Sequence, residues 1–330
     1  MRAVCLLFAA ISLANAATDP ALARLERQID YVSHVTDGVA GVSAVHIETG
    51  RAISVRGAEA FPMASAFKLP VAVQLLSLVD EGKLTLDRMV SLSPSDLHPG
   101  SGKLSELFFH PGVSLSIANL MEIMLAISDN SAADVLLREA GGPPAVTARM
   151  HALGLNGIRV DRSTALLISD WQGAKNLPPE SQWTRGMWDR IYDAVPERDH
   201  MRARRAEMAD PRDTATPDDM TKLLVGVWKK ELLTPQSAGV LLGIMDRCQT
   251  GKSRIKGLLP QQTDVAHKTG SLGGVANDVG FITLPGGAGH IAISVFTKAS
   301  NRPEEASEKA IAEISRTIYD YFVLVPGVEP

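Results

Sequence analysis

Ser65-Ala66-Phe67-Lys68-Leu69-Pro70-Val71-Ala72-Val73-Gln74-Leu75-Leu76-Ser77-Leu78-Val79 reads as a helix with chemistry at one end. From Leu69 onward it is almost continuously apolar, so it belongs in the interior rather than along a surface stripe. Pro70 sits near the start, where a missing N–H does least harm, and Gly82 closes the segment. Ser65 and Lys68 stand three residues apart and share one face. A helix N-terminus offers unpaired N–H groups and partial positive charge, a field that favours an alkoxide or oxyanion at Ser65. Burial lowers the pKa of a lysine, which lets Lys68 accept the serine proton. Taken alone, the same residues read better as a capping serine and a solvated lysine. A second string of this form, Ser253-Arg254-Ile255-Lys256, is read as surface turn and strand chemistry.

Two further motifs lie downstream. Ser128-Asp129-Asn130 follows the apolar stretch Leu120 to Ile127 and precedes a helix starting near Ala132. All three residue types favour the N-cap, and that is their bland reading. Lys268-Thr269-Gly270-Ser271 reads as the opening of an edge strand, its bland reading being a hairpin turn with an exposed lysine. Gly270 permits close approach to the backbone. His267 before it reads as a packing or surface residue. The 8 histidines of the chain show no pairing at metal-ligand spacing, so no metal is expected.

In this order the three motifs resemble those of the penicillin-recognising serine hydrolases, most closely the class A β-lactamases. Phe61-Pro62-Met63-Ala64, Asp161-Arg162 and Asp210-Pro211-Arg212-Asp213-Thr214 resemble landmarks of the same family. The resemblance implies that Ser65 is the nucleophile and Lys68 its activator, with Ser128 relaying a proton to the leaving nitrogen. It implies that Asn130 holds the substrate amide, that Lys268 and Thr269 bind its carboxylate, and that Gly270 and Ser271 border it. The N–H groups of Ser65 and Ser271 would form the oxyanion hole. Asp129 would pin a loop, and Arg162 with Asp213 would close the neck of the Ω loop by an ion pair. The substrate implied is a small-molecule β-lactam, hydrolysed by a monomer without a cofactor. A penicillin-binding peptidase or esterase, or a penicillin receptor that stays acylated, shares the same motifs.

Two positions depart from the family. Two residues after Arg162, where the family carries the glutamate that activates the deacylating water, stands Thr164, and Ile168 replaces a family asparagine. The segment from 163 to 209 is also far longer than the family loop and is rich in Trp, Pro and charge. It reads as a long solvated loop. Asp170, Glu197 and Glu207 are candidate replacement bases, with Glu207 ahead because it lies near the loop exit that still matches the family.

The remainder of the chain sets bounds. Its 330 residues are 45% apolar and 21% charged, with a formal charge of −4, which fits a globular protein with a real core. Neither a basic stripe nor interleaved aromatics suggest nucleic acid as a partner. Residues 1–16 read as a secretory leader: Arg2, an apolar run to Leu13, then Ala14-Asn15-Ala16. Cleavage would leave Cys248 as the one cysteine and no membrane anchor, in a protein that is exported to the periplasm or secreted. Helical spacing at Ala21 to Val32, Pro217 to Lys230, Thr234 to Arg247 and Glu304 to Phe322 alternates with strand signals at Val42 to Ile47, Ile53 to Val55, Asp278 to Leu284 and His290 to Thr297. The fold expected is α/β. Residues 17–62 and 210–330 would form an antiparallel sheet flanked by helices, residues 63–209 an all-α lobe, and the cleft would lie between them.

Overall fold

The computed structural model describes residues 20–98, 100–108 and 110–325; the leader assigned to 1–16 lies outside them. Its centre is a five-stranded sheet in the order β2-β1-β9-β8-β7. The strands are β1 (Val39–His46), β2 (Ala52–Val55), β7 (Val265–Leu272), β8 (Val275–Thr283) and β9 (His290–Lys298), and every neighbouring pair is antiparallel. The chain-terminal strands meet in mid-sheet, Val42 opposite Val295. The last two hairpins leave β7 at the edge, with Thr269 opposite Asp278.

Helices α1 (Pro20–Ser33) and α12 (Glu304–Leu324) cover one face of the sheet, where Leu25, Ile29, Ile311 and Ile318 pack on Val42, Ile282 and Ile293. Each such side chain taken fully out of water contributes about 1.5–3 kcal/mol. The other face carries α10 (Pro217–Trp228) and α11 (Pro235–Asp246) and runs without a break into a helical region. That region holds α2 (Lys68–Asp80), α3 (Leu104–Leu107), α4 (Ile117–Ala126), α5 (Asn130–Glu139), α6 (Gly142–Ala152) and α7 (Thr164–Gln172). Its centre is α2, buried from Lys68 to Ser77, as its unbroken apolar pattern requires.

Three features differ from the sequence reading. The turn that carries Ser65 is a tight 3-10 turn, Ala64–Phe67, which widens into α2 only at Lys68. The helical region includes a short strand pair, β4 (Met89–Ser91) with β5 (Ser114–Ser116), beside a second pair, β3 (Phe61–Pro62) with β6 (Thr214–Ala215). The 163–209 segment is not a solvated loop. It folds into α7, α8 (Arg185–Asp193) and α9 (Glu197–Glu207) around a small core of Ala165, Trp183, Met187 and Trp188.

Candidate active site

The turn that carries Ser65 is held from both sides. Asn277 on β8 donates from Nδ2 to the carbonyls of Pro62 and Met63, at 2.8 and 2.9 Å, and Met63 N–H donates to Asp213 O at 2.9 Å. Those bonds enforce φ of 44° at Ala64, a strained value for a residue with a side chain, immediately before Ser65. Strand β7 then closes on the turn. A Cβ at Gly270 would stand 2.4 Å from Met63 O and 3.2 Å from Ser65 N, so only glycine fits. The backbone of the motif at 268–271 and the N–H of Ser65 therefore border one space, which the half-buried Ser65 side chain shares.

Behind Ser65 two fully buried amines meet at one hydroxyl. Lys68 Nζ donates to Ser128 O at 2.7 Å and to Asn130 Oδ1 at 2.8 Å, and lies 3.2 Å from Ser128 Oγ. Lys268 Nζ donates to that same Oγ at 3.0 Å and to Thr269 O at 2.7 Å. Burial, and next the charge of Lys268, hold the Lys68 amine well below the ordinary lysine range. Burial likewise brings Lys268 down to about 8, against the opposing pull of Cys248 and Asp278. Ser128 itself has φ of 60°, a second strained residue at the site.

The remaining motif residues hold this arrangement in place. Asp129 accepts from three backbone N–H groups: Ala132 at 2.9 Å, which caps α5, and Lys103 and Leu104 at 2.6 and 2.9 Å, which fastens the 100–108 loop to it. Thr269 Oγ1 is 2.6 Å from Thr250 Oγ1, which in turn sits 3.3 Å from Cys248 Sγ.

Several neighbours escaped the sequence reading. Arg254, taken there as surface chemistry, is 3% exposed and lies behind β7. It donates to Gly270 O, Asn277 O and Ser271 Oγ, and pairs with Glu304 at 2.6 Å. His267 is fully buried and paired with Asp278 at 2.8 Å. Burial opposes its charge, but Asp278 outweighs burial and raises the imidazole to about 9, while burial of Cys248 is outweighed by His267 and Lys268, which bring the thiol to about 7. The available signal was Asn277-Asp278, two polar residues consecutive inside an otherwise apolar strand.

At the neck of the long segment, Arg162 gathers the carboxylates. Its Nε meets Asp213 at 2.6 Å, Nη2 meets one oxygen of Glu207 at 2.7 Å, and Nη1 lies 3.2 Å from the other and 2.8 Å from Asp170. Glu207, the candidate base, is thus buried with both oxygens on one guanidinium. Asp170 is shared with Arg212 at 3.0 Å, and Glu197 is exposed in the first turn of α9. Thr164 is buried at the start of α7. Asp134, one turn beyond Asn130 on α5, accepts from the N–H of Thr164 at 2.6 Å and of Ala165 at 3.0 Å. The Thr164 hydroxyl is buried with no hydrogen-bond partner.

Trp171 at the end of α7 packs on Gly273 in the β7–β8 turn, backed by the Arg204 guanidinium 4.4 Å from its ring. With Ser271, Arg302 and Glu304 it lines a cleft of about 470 Å³ beside β7. Among the described residues, no cluster of His, Cys, Asp and Glu is arranged to hold a metal, and no helix is long and apolar enough to cross a membrane.

Comparison with known proteins agrees with this geometry. The model of the β-lactamase enzyme family matches residues 24–322. The β-lactamase VEB-1 of Pseudomonas aeruginosa is 30% identical over 325 residues, covering 96% of this chain and 95% of that protein. The carbapenem-hydrolysing β-lactamase KPC of Klebsiella oxytoca is 29% identical, covering 94% and 90%. Among solved structures, a β-lactamase from Chitinophaga pinensis superposes with a TM-score of 0.75 at 27% identity, covering 90% of this chain and 98% of that one. An ancestral class A β-lactamase does so at 0.72 and 30%, covering 90% and 99%. With its three motifs meeting at one buried hydroxyl and its long segment between Arg162 and Asp213, the chain belongs to the class A serine β-lactamase family, as a divergent member.

Proposed function

We propose that this protein opens the β-lactam ring by acyl transfer to Ser65 and then releases the acyl group to water. The observation that carries the reading is the double engagement of Ser128 Oγ by Lys68 and Lys268. Lys68, held well below the ordinary lysine range by burial and then by the second amine, takes the Ser65 proton as Oγ attacks the ring carbonyl. The tetrahedral oxyanion forms beside the N–H of Ser65, where Gly270 lets strand β7 bring the Ser271 backbone close enough to complete the oxyanion hole. Lys68 passes its proton through Ser128 to the ring nitrogen, the C–N bond breaks, and the acyl ester remains on Ser65. The substrate carboxylate lies on Lys268 and Thr269, where a charge-assisted hydrogen bond is stronger than a neutral one. Asn130, oriented by Lys68, presents its amide to the substrate side chain.

In this reading Glu207 belongs to the neck with Asp213 and not to proton transfer. The leader at 1–16 would deliver the enzyme across the inner membrane, to the periplasm or beyond. The test is hydrolysis of a chromogenic cephalosporin by the mature chain and by Ser65→Ala. Turnover by the wild type that disappears in the variant supports the reading, and equal turnover by both would overturn it.

A further inference from the structure

An acyl-enzyme is cleared only if something takes a proton from the attacking water, and the structure limits what that is. Among the described residues the carboxylates around the cleft are engaged, Glu304 by Arg254 and the Ser271 hydroxyl. Asp129 is bound by three backbone N–H groups, and Asp134 by two together with His98 Nε2 at 3.4 Å. Glu207, Asp213 and Asp170 are bound by Arg162. A carboxylate whose lone pairs already accept from N–H groups or a guanidinium is a poor proton acceptor.

Lys68 differs. Two of its three contacts, Ser128 O and Asn130 Oδ1, are pure acceptors and take two N–H bonds. The third, Ser128 Oγ, either donates or accepts, so a neutral amine with two N–H bonds and one lone pair satisfies the whole set. The same lone pair is restored at the end of acylation, when Lys68 has passed its proton to the leaving nitrogen.

The second observation is the orphaned Thr164 hydroxyl. A buried hydroxyl without a partner calls for a water. Its place is set by α5: Asn130 and Asp134 lie four residues apart on one face, and Asp134 fixes the backbone of Thr164. The start of α7 is therefore held at α5 one helical turn along from Asn130, whose amide Lys68 orients.

We propose that Lys68 is the base of both half-reactions and that the Thr164 hydroxyl positions the water it activates, an inference that rests on the acyl-enzyme reading above. In the second half-reaction water oxygen bonds to the acyl carbon and its proton passes to Lys68 Nζ. The tetrahedral intermediate then expels Ser65 Oγ, which receives that proton, directly or through Ser128. Water has been added across the ester, and enzyme and product acid are released. Lys268 from β7, Asp129 at the cap of α5 and Asp134 within it are the charged groups that act on the Lys68 amine.

The experiment preforms the acyl-enzyme with a slowly cleared β-lactam and follows its loss by intact mass from pH 5 to 10. The rate constant should rise about tenfold per pH unit and then level off once the amine is neutral. The rise should persist in Lys268→Arg, whose charge does not titrate. Thr164→Val should slow clearance at least tenfold more than it slows acylation, with Thr164→Ser restoring it. Thr164→Glu should flatten the acid limb by supplying a carboxylate. A wild-type profile already flat at pH 5 would assign a carboxylate base and overturn the proposal. So would a climb without a plateau, the mark of hydroxide attack, or equal clearance by Thr164→Val and the wild type. If no adduct forms at any pH, the acyl-enzyme reading fails with it; an adduct with the wrong profile overturns this inference alone.

Discussion

Around Ser65 the buried groups are polar and bonded to one another, whereas in the 163–209 segment they are aromatic and stacked. Lys68, Lys268, Ser128 and Asn130 are all buried and joined to one another by hydrogen bonds. Trp183 and Trp188 meet edge to face at 4.9 Å, against Met187 and Ala165. A polar network fixes its members in one geometry and is costly if half satisfied. An aromatic cluster fills space and tolerates adjustment more readily. The two regions meet at the Arg162 clamp, at the Asp134 cap on α7, at Trp171 on Gly273, and at His98, whose ring stands edge-on to Trp183 and Trp188 at 5.7 and 6.1 Å. The polar network thus gathers the motif residues, and the long segment sets Thr164 against α5 and Trp171 against the β7–β8 turn.

The largest effect should come from the network. Lys68→Met should lower kcat/KM on a penicillin by about 10³–10⁴-fold, since it removes the proton acceptor and the orienting partner of Asn130 together. A loss under tenfold, in steady-state kinetics, would show that the buried amine is not the base. Next is the clamp between the regions. Arg162→Ala leaves Asp213 and Glu207 buried without their counter-ion, at a cost of about 3–5 kcal/mol. Urea unfolding should show the loss, and limited proteolysis should cut first between 163 and 212. Trp188→Ala sharpens the contrast. It removes a fully buried ring and should cost about 3–5 kcal/mol, yet Ser65 should still be acylated, because no member of the buried network touches that core. Failure of acylation in a folded Trp188→Ala protein would mean that the two regions are one unit.

The smallest effect expected is on binding. Lys268 loses its proton near pH 8, so KM for a carboxylate-bearing β-lactam should climb as pH rises through that value. The sign follows from the depressed pKa: the anchor is charged below about 8 and neutral above it. A methyl ester of the same substrate should show a flat KM.

What the sequence made legible divides along the same line. Ser65 to Lys68, Ser128 to Asn130 and Lys268 to Ser271 are contiguous, and their order and local context sufficed to group them. The helices α10, α11 and α12 and the hairpin β8–β9 followed from spacing and turn residues, to within a few positions at each end. Arg254 did not, because its partners lie on β7, β8 and α12, and its own neighbours look like a surface turn. His267 gave no sign of Asp278, which pairs with it across strands 11 residues on. The helices α8 and α9 were hidden by composition. Proline and charge suggested a solvated loop, although Trp183, Met187, Trp188, Ile191 and Tyr192 already recur at helical spacing. Thr164 was legible as a departure from the family, but its orphaned hydroxyl appears only once Asp134 is seen to hold the start of α7.

Acylation of Ser65 and its clearance without a free carboxylate are both proposed of one buried amine. An intact-mass time course of the mature protein with a penicillin tests both halves together. The prediction is a single adduct of the drug's mass on Ser65 that appears, then clears as hydrolysed drug accumulates. An adduct that never clears would mean that Lys68 and Thr164 do not replace the missing base, and the absence of any adduct would contradict the acyl-enzyme itself.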